Sequence, residues 1–285
     1  MARTEGDALL DAPLVEMRRA DVAAGLALSR EAGWNQTAED WSLLIRLGRA
    51  FAVAGPDGHL VATAVALPYP PTHGWVGMVL VHGPLRRRGL GTRVLERAIA
   101  ELRGRGLVPF LDATPAGRQV YERMGFRPIE ALTRWRGDGG GGPARVPFPP
   151  VLPQDLRGAA ELDLSAFGAD RSPVLADLLG RERAASWRDP VTRSFLLSRP
   201  GRRATYLGPL VARETETALA LLEAGLAGIS GPLMIDVPDR ESDLTRLLSS
   251  RGFRPERPFT RMALGRESGL GDRALLRAIA APELG

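Results

Sequence analysis

The residues best suited to chemistry lie in the stretch RRRGLGTRVLERAIAEL, which begins at Arg86. Its start reads Arg-x-x-Gly-x-Gly and continues into a helical stripe with apolar residues at positions 90, 94, 95, 98, 99 and 102. A loop of this kind can bind a phosphate, because backbone N–H groups converge at a helix N-terminus and glycine leaves room for the anion. Residues Arg86–Thr92 are therefore a candidate phosphate loop.

The pattern alone does not decide the matter, because arginine and glycine are abundant and chance predicts roughly 0.5 matches. The chain holds four matches, which begin at Arg86, Arg134, Arg136 and Arg266. The middle two run into a glycine-rich stretch and open no helix. The copy at Arg266 is expected to follow a strand and open a helix, but Glu267 and Asp272 would repel an anion there. We expect phosphate binding at the first copy and not at the last.

Composition excludes several classes of protein. The chain has no cysteine, and His59, His73 and His82 stand apart from other metal-ligating residues, so no metal site is expected. No apolar run is long enough for a membrane span and the N-terminus does not read as a signal, so a cytoplasmic protein is expected. The formal charge is +5, yet the arginines alternate with acids, so nucleic-acid binding is the less favoured interpretation. A basic stripe formed by the fold would favour nucleic-acid binding again.

Periodicity and turn residues predict the elements that position the loop. Thr37 with Asp40 has the spacing of a capping box, and Thr114 with Pro115 reads as the cap and first turn of a helix. The predicted order in the first half is β-α-α-β-β-β-α-β-α-β.

A glycine-rich and proline-rich stretch within residues 136–155 predicts a linker between two domains. We assign residues 1–136 to the first domain, 137–145 to the linker and 146–285 to the second. The two halves share a motif, since FLDAT followed by VYERMGFRP matches MIDVP followed by LTRLLSSRGFRP. This similarity indicates an internal duplication.

These residues resemble the GNAT acetyltransferase superfamily. VLVHGPLRRRGLGTRVL looks like its acetyl-CoA motif, and TPAGRQVYERMGF looks like the helix that follows, with a tyrosine four residues before Gly-Phe. The second half resembles a degenerate copy, as in tandem GNAT proteins. The fold implied is α/β of the α+β type, with two tandem GNAT-like domains, each a mixed, mostly antiparallel sheet flanked by helices.

The resemblance also implies roles for individual residues. Tyr121 would be the general acid, although an amphipathic core tyrosine is the alternative interpretation. Trp34 and Asn35, between the first two helices, would border the acceptor. The acetyl-CoA contacts would come from the loop amides, the strand edge before them and the cap of the later helix, namely Val79, Leu80, Val81, Arg86, Arg87, Arg88, Gly89, Leu90, Gly91, Thr92 and Thr114. Many relatives have Asn at the position of Thr114.

The general base is less well defined, because the strand WVGMVLV carries no acid. Asp112 at the end of a strand is the best local candidate, with helix capping or bracing of the sheet as the alternative. Asp163, Asp170 or water could take the proton instead. The second domain has Leu248 where Tyr121 stands in the first and lacks a glycine loop, so we expect it to be catalytically silent and to close the acceptor side.

The resulting hypothesis is an acetyl-CoA-dependent N-acetyltransferase that acts on a primary amine, of a small molecule rather than a protein. Transfer would be direct, since no cysteine can carry the acetyl group. A non-catalytic acyl-CoA-binding regulatory protein with the same loop is the alternative. We expect no nucleic-acid or membrane partner, and a monomer or homodimer.

Overall fold

The computed structural model describes residues 9–140, 146–267 and 271–285. The chain divides into two compact units, Met1–Leu111 and Asp112–Gly285. Each unit combines helices with a mixed sheet in which most neighbouring strands are antiparallel. In the described part of the chain no helix has the length and apolarity needed to span a membrane.

Unit 1 has the predicted order of elements. Its strands are arranged β1-β2-β3-β4-β5, with β4 and β5 parallel and the other neighbours antiparallel. Its elements are β1 (Leu14–Glu16), α1 (Val22–Glu31), α2 (Ala38–Leu47), β2 (Arg49–Ala54), β3 (Leu60–Tyr69), β4 (His73–Val81), α3 (Leu90–Gly104) and β5 (Val108–Ala113), whose last two residues belong to unit 2.

The helices of unit 1 begin and pack as the sequence predicts. Thr37 caps α2 and forms the expected capping box, since the Asp40 carboxylate accepts the Thr37 N–H at 2.8 Å. The apolar stripe of α3 is buried along its length and the helix packs on β2, β3 and β4. Trp75 on β4 stacks with Phe110 on β5, with ring centroids 6.0 Å apart. This packing fixes the strand that leads into the glycine loop.

Unit 2 contains the remaining helices and strands. Its sheet has the order β11-β6-β10-β9-β8-β7, and β12 pairs with β9. Its elements are α4 (Pro115–Arg123), β6 (Phe126–Gly139), α5 (Leu156–Phe167), α6 (Ser172–Leu179), β7 (Ser186–Arg188), β8 (Phe195–Arg199), β9 (Thr205–Val211), α7 (Thr215–Gly228), β10 (Gly231–Pro238), α8 (Ser242–Ser250), β11 (Arg254–Leu264) and β12 (Leu276–Ala278).

The glycine-rich stretch begins as a strand rather than as a linker. Gly137 and Gly139 lie in β6 and pair with β10. A Cβ on Gly137 would lie 2.5 Å from the Phe253 ring, and a Cβ on Gly139 would lie 2.2 Å from the Ile229 carbonyl oxygen. These glycines are therefore needed for close packing, so the prediction of a linker is wrong for residues 137–139. Residues 141–145 lie outside the described residues.

The division between the units also falls earlier than the predicted boundary at residue 136, because β6 pairs on both sides with strands of the second repeat. It lies antiparallel to β10 on one side and to β11 on the other. Both neighbours come from the second half of the sequence. Strand β6, the last strand of the first repeat, thus belongs to the same unit as the second repeat.

Arginines on β6 and β11 each bind a carboxylate that belongs to the other repeat. In each repeat four residues separate the motif Gly-Phe-Arg-Pro from a following Thr-Arg, which places Arg134 and Arg261 at equivalent positions. Arg134 makes two 2.7 Å hydrogen bonds to Asp236 of the second repeat. Arg261 makes two 2.9 Å hydrogen bonds to Asp112 of the first. Each repeat therefore supplies the cation for the other repeat's buried carboxylate.

The last Arg-x-x-Gly-x-Gly match does not open a helix. Residues 268–270 are outside the described residues, but a turn follows Gly271 and Leu276–Ala278 is strand β12. A Cβ on Gly271 would lie 2.5 Å from the Ala166 carbonyl oxygen, so this glycine packs against the end of α5. The prediction of a helix at this copy is wrong.

Candidate active site

The first glycine loop has the backbone geometry of an anion site. A short 3-10 turn, Gly83–Leu85, follows β4, and Gly89 then caps α3 in the left-handed conformation with φ 87°. Because α3 begins at Leu90, the N–H groups of its first turn have no intrahelical acceptor. These donors and the positive end of the helix dipole favour a negative ligand at this point.

The space at the loop also suits a phosphate group. Arg86, Arg87 and Arg88 are exposed, and the first turn of α3 carries no acid. Arg87 adopts a positive φ of 61°, a conformation that is uncommon outside glycine. A Cβ on Gly91 would lie 3.3 Å from the Val81 side chain, so glycine keeps the helix close to the end of β4. The residues present fit a diphosphate.

The carboxylate of Glu31, which the sequence did not predict, binds the residues that precede this loop. Glu31, at the end of α1, accepts the Gly83 N–H at 2.6 Å and lies 2.8 Å from His82 Nδ1. Desolvation alone would raise the pKa of Glu31, but these contacts lower it below its ordinary value. No local sequence signal links Glu31 to Gly83, because the two are 52 residues apart. The contact fixes the turn that precedes the arginines.

The strand before the loop contains a β-bulge. Thr63 on β3 pairs with Leu80 and Val65 pairs with Gly77, so Met78 and Val79 both lie opposite Ala64. Met78 has φ 52°, and its carbonyl oxygen accepts the Thr63 hydroxyl at 2.9 Å. Such strain in a non-glycine residue is found most often at functional sites. Nothing in the letters VGMVLV predicted it.

Beyond the bulge, one edge of β4 is open. The pairing of β4 with β5 is confined to His73–Trp75, whereas Val79–Val81 continue past it. On their other side these residues pair with β3. Among the residues that the structure describes, no further strand pairs with this edge, and the Val81 carbonyl oxygen at its end accepts the Arg86 Nε–H at 3.1 Å. An extended ligand with amide groups can add to such an edge as another strand would.

The loop between α1 and α2 contains both predicted acceptor residues. Trp34 is half-buried, and its backbone N–H donates to the Ser29 carbonyl oxygen at 2.9 Å. Asn35 is buried. The next residue, Gln36, is only 7% exposed, and its Oε1 has no hydrogen-bond partner in the described part of the chain. A buried amide oxygen without a donor is costly, which makes it a candidate contact for a ligand N–H.

Helix α4 positions Tyr121. Thr114 caps this helix and accepts the Gly117 N–H at 3.3 Å, so its side chain serves the helix start. The Tyr121 ring lies over Gly117, where an added Cβ would be 2.8 Å from Cε2 of the ring. The ring also packs edge-on against Phe126, with the two ring centroids 6.0 Å apart. Burial raises the pKa of Tyr121 to about 12. The phenol therefore keeps its proton throughout the ordinary pH range.

The carboxylate of Asp112 is engaged in a buried ion pair. Its side chain has no exposed surface, and both oxygens accept from Arg261 at 2.9 Å. Burial raises the pKa of Asp112, against the opposing effect of Arg261. The two other acids considered as bases are also occupied: Asp163 binds the buried Arg171 at 2.7 Å, and Asp170 accepts the Ser172 N–H at 2.8 Å.

Two family profiles match the chain, one in each repeat. The profile of the Acetyltransferase (GNAT) family matches residues 19–126, and that of an Acetyltransferase (GNAT) domain matches residues 159–275. The chain belongs to the GNAT acetyltransferases. It is an acyltransferase with two GNAT domains, and the first match contains the glycine loop and Tyr121.

Relatives of this GNAT protein include one curated sequence and many solved structures. The uncharacterized N-acetyltransferase YitH of Bacillus subtilis (strain 168) is 25% identical over 252 residues, covering 84% of this chain and 87% of the relative. A putative acetyltransferase from Pyrococcus horikoshii has a TM-score of 0.81 at 21% identity, covering 96% of this chain and 95% of the other. A tandem GNAT protein from the clavulanic acid biosynthesis pathway has a TM-score of 0.60 at 16% identity, covering 88% and 97%. The structural likeness supports the fold.

In the second GNAT domain, the position equivalent to Tyr121 has a structural role. Leu248 is completely buried and belongs to an apolar core with Leu244, Leu222 and Phe253. A leucine has no proton to donate.

Replacing Gly117 by alanine tests how the Tyr121 ring is positioned. The new methyl group would collide with the ring, so we expect Gly117→Ala to lower kcat by about tenfold or more while acetyl-CoA affinity is retained. Steady-state kinetics with a separate binding titration measure this. Gly104→Ala is the matched control, because this helical glycine has open space around it and the change should be neutral or stabilising. Equal kinetics in both variants would contradict the positioning role.

Replacing Asp112 by asparagine separates a structural role from a catalytic one. Arg261 would lose the buried carboxylate that accepts both of its hydrogen bonds to Asp112, so we expect Asp112→Asn to lower the free energy of unfolding by about 3–5 kcal/mol. Denaturant unfolding measures this, with the exposed Asp138→Asn on β6 as control. The double variant Asp112→Leu/Arg261→Met should recover much of the loss. A stable Asp112→Asn variant with strongly reduced kcat would instead indicate a catalytic base.

Proposed function

We propose that this GNAT protein transfers the acetyl group of acetyl-CoA to a primary amine of a small molecule, in the cytoplasm. The observation that carries the proposal is the loop at Arg86–Thr92, where a left-handed glycine cap opens a helix whose first-turn amides face no acid on that turn. A structural loop would not require three exposed arginines beside these donors.

The same residues would hold acetyl-CoA. The amides from Arg87 to Thr92 would bind the diphosphate, and the arginine side chains would add positive charge. The open edge of Val79–Val81 would pair with the amide-bearing arm of the coenzyme. Acetyl-CoA supplies the acetyl group as a thioester. We assign the side chain of Thr114 to capping α4, which leaves its backbone or methyl group for any cofactor contact.

Tyr121 would act as the proton donor when the thiol leaves. The leaving thiolate, whose thiol has a pKa of about 8.5, is a weaker base than the phenolate of a tyrosine with a pKa of about 12, so complete proton transfer would be uphill by about 5 kcal/mol. The phenol therefore acts best by donating a hydrogen bond to the charge that develops on sulfur in the transition state. Because the chain has no cysteine, the amine would attack the thioester directly.

We propose that solvent, rather than Asp112, takes the proton released by the amine. Both oxygens of Asp112 already accept hydrogen bonds from Arg261, and the side chain has no exposed surface, so neither oxygen is available to contact an amine substrate. We therefore assign Asp112 to bracing the final strands of the repeats. Amine substrates would then react in their neutral form, and the rate should rise with pH up to the pKa of the amine.

The loop between α1 and α2 supports an amine acceptor. The buried Gln36 Oε1 lacks a donor in the described part of the chain, and an amine N–H would supply one. Trp34 beside it offers an apolar surface for the carbon frame of the substrate. These are contacts suited to a small polar molecule.

An amine panel tests the proposal. Release of free CoA from acetyl-CoA should depend on a small primary amine and should form an N-acetyl product seen by mass spectrometry. Turnover confined to folded protein acceptors would contradict the substrate class. Tight acetyl-CoA binding without turnover on any amine would support the non-catalytic alternative.

A further inference from the structure

Each unit contains a pair of parallel strands that separate partway along their length. In unit 1, β4 and β5 pair only through His73–Trp75, and β4 continues to Val81. In unit 2, β9 and β10 pair only through Thr205–Leu207, and β9 continues to Val211. The two gaps are equivalent by repeat, but the second is filled.

The filling comes from residues 276–285, which we call the tail segment. Its strand β12 pairs antiparallel with β9, with Leu276 opposite Val211 and Ala278 opposite Leu210. On the other side, the Ile279 N–H donates to the Asp236 carbonyl oxygen of β10 at 3.1 Å. The tail segment therefore binds the backbone of both separated strands.

The tail segment is in close contact with the floor of this gap. A Cβ on Gly208 of β9 would lie 2.1 Å from the Ile279 carbonyl oxygen, so only glycine permits this approach. Ala278, Ile279, Ala280 and Ala281 have no exposed surface. Burial this complete indicates that the segment is part of the core of unit 2.

Two buried arginines anchor the tail segment. Arg199 on β8 binds the Glu283 carboxylate at 2.8 Å, and both side chains are almost completely buried. Arg171, which also pairs with Asp163, donates to the Gly285 carbonyl oxygen. Breaking the contact with Arg199 would leave the Glu283 carboxylate buried without its counter-charge.

We propose that the tail segment is an internal ligand of the second GNAT domain, which fills the gap that an extended amide-bearing ligand enters in the first. The identity of that ligand as the arm of acetyl-CoA rests on the proposed function. The second gap is thereby closed to the coenzyme, and the chain binds a single acetyl-CoA.

The helix that follows the second gap supports the same conclusion. Helix α7 has Glu214 at its cap and Glu216 in its first turn. Two carboxylates at a helix N-terminus repel a phosphate and satisfy the helix dipole themselves. The site for the phosphates is thus missing at the place where the gap for the arm is filled.

Hydrogen exchange of the full chain tests the proposal, followed by mass spectrometry with and without acetyl-CoA. In the wild type, amides of residues 276–281 should exchange as slowly as the core of unit 2, and the coenzyme should not change their rate. The isosteric variant Glu283→Gln should exchange there at least about tenfold faster. The exposed Glu182→Gln is the matched control and should leave the tail amides unchanged.

The outcomes separate this proposal from the function. Binding of two acetyl-CoA per chain in a calorimetric titration, or faster exchange of the tail amides when coenzyme is added, would overturn it. So would rapid exchange of these amides in the wild type. If acetyl-CoA does not bind at all, the proposed function fails, whereas the tail amides and their response to Glu283→Gln still decide whether the gap is filled.

Discussion

Tyr121→Phe should reduce kcat by about 10²- to 10⁴-fold while leaving the affinity for acetyl-CoA unchanged. The substitution removes only the hydroxyl, and the ring can keep its contacts with Gly117 and Phe126. The lost interaction is one that strengthens as charge develops on the leaving sulfur, so its effect is expected in kcat rather than in binding. Stopped-flow or coupled detection of free CoA, with calorimetry for binding, measures both quantities.

The control for this experiment is Glu122→Gln on the same helix. Glu122 pairs with Arg118 at the surface, and an exposed pair of this kind contributes little to stability. Its kcat should stay within about twofold of the wild type. Should Tyr121→Phe behave like the control, the ring would be a core residue and another group would donate the proton.

The pH dependence has a definite sign. Burial raises the pKa of Tyr121 to about 12, so the phenol remains protonated and competent below that pH. Loss of rate on the alkaline side below about pH 11 should therefore not come from this residue. An alkaline limb near pH 9 that disappears in Tyr121→Phe would show that the bound coenzyme lowers the phenol's pKa.

The second large effect is expected at the glycine loop, where Gly89→Ala should weaken acetyl-CoA binding by about 10- to 100-fold. Gly89 caps α3 with φ 87°, a conformation that costs an alanine about 1–2 kcal/mol. Relief of that strain moves the first turn, and with it the amides that would face the diphosphate. Calorimetric titration with acetyl-CoA measures the change.

A matched control separates strain from binding. Gly58, in the exposed turn between β2 and β3, has φ 81° and open space for a Cβ. Gly58→Ala should therefore lose a similar free energy of unfolding without any change in acetyl-CoA affinity. Equal affinities in the two variants would exclude the loop as the coenzyme site.

Much of unit 1 could be predicted from sequence because its signals are local. The capping box at Thr37 and the apolar stripe of α3 each depend on residues a few positions apart. The same holds for the order of the elements. The glycine loop was distinguished from its copies by the charges around it, which are also local.

The features that could not be predicted depend on contacts between distant residues. The glycines of β6 read as a linker because the letters do not reveal that Phe253 and Ile229 pack against them. The ion pair of Asp112 could not be predicted because Arg261 is 149 residues away. A signal existed: Thr-Arg follows Gly-Phe-Arg-Pro at the same spacing in both repeats. The shared position could have suggested that both arginines pair with acids, but not that each binds an acid of the other repeat.

The crossed pairing of Arg134 with Asp236 and of Arg261 with Asp112 has a consequence for how the gene could have evolved. Division of such a duplicated ancestor at the glycine-rich stretch would leave each fragment with an acid whose arginine lies on the other fragment. We therefore expect the two repeats to be retained together, because each supplies the arginine that pairs with the other's buried carboxylate. Substitutions at other positions of the second repeat would then be tolerated without loss of the repeat itself.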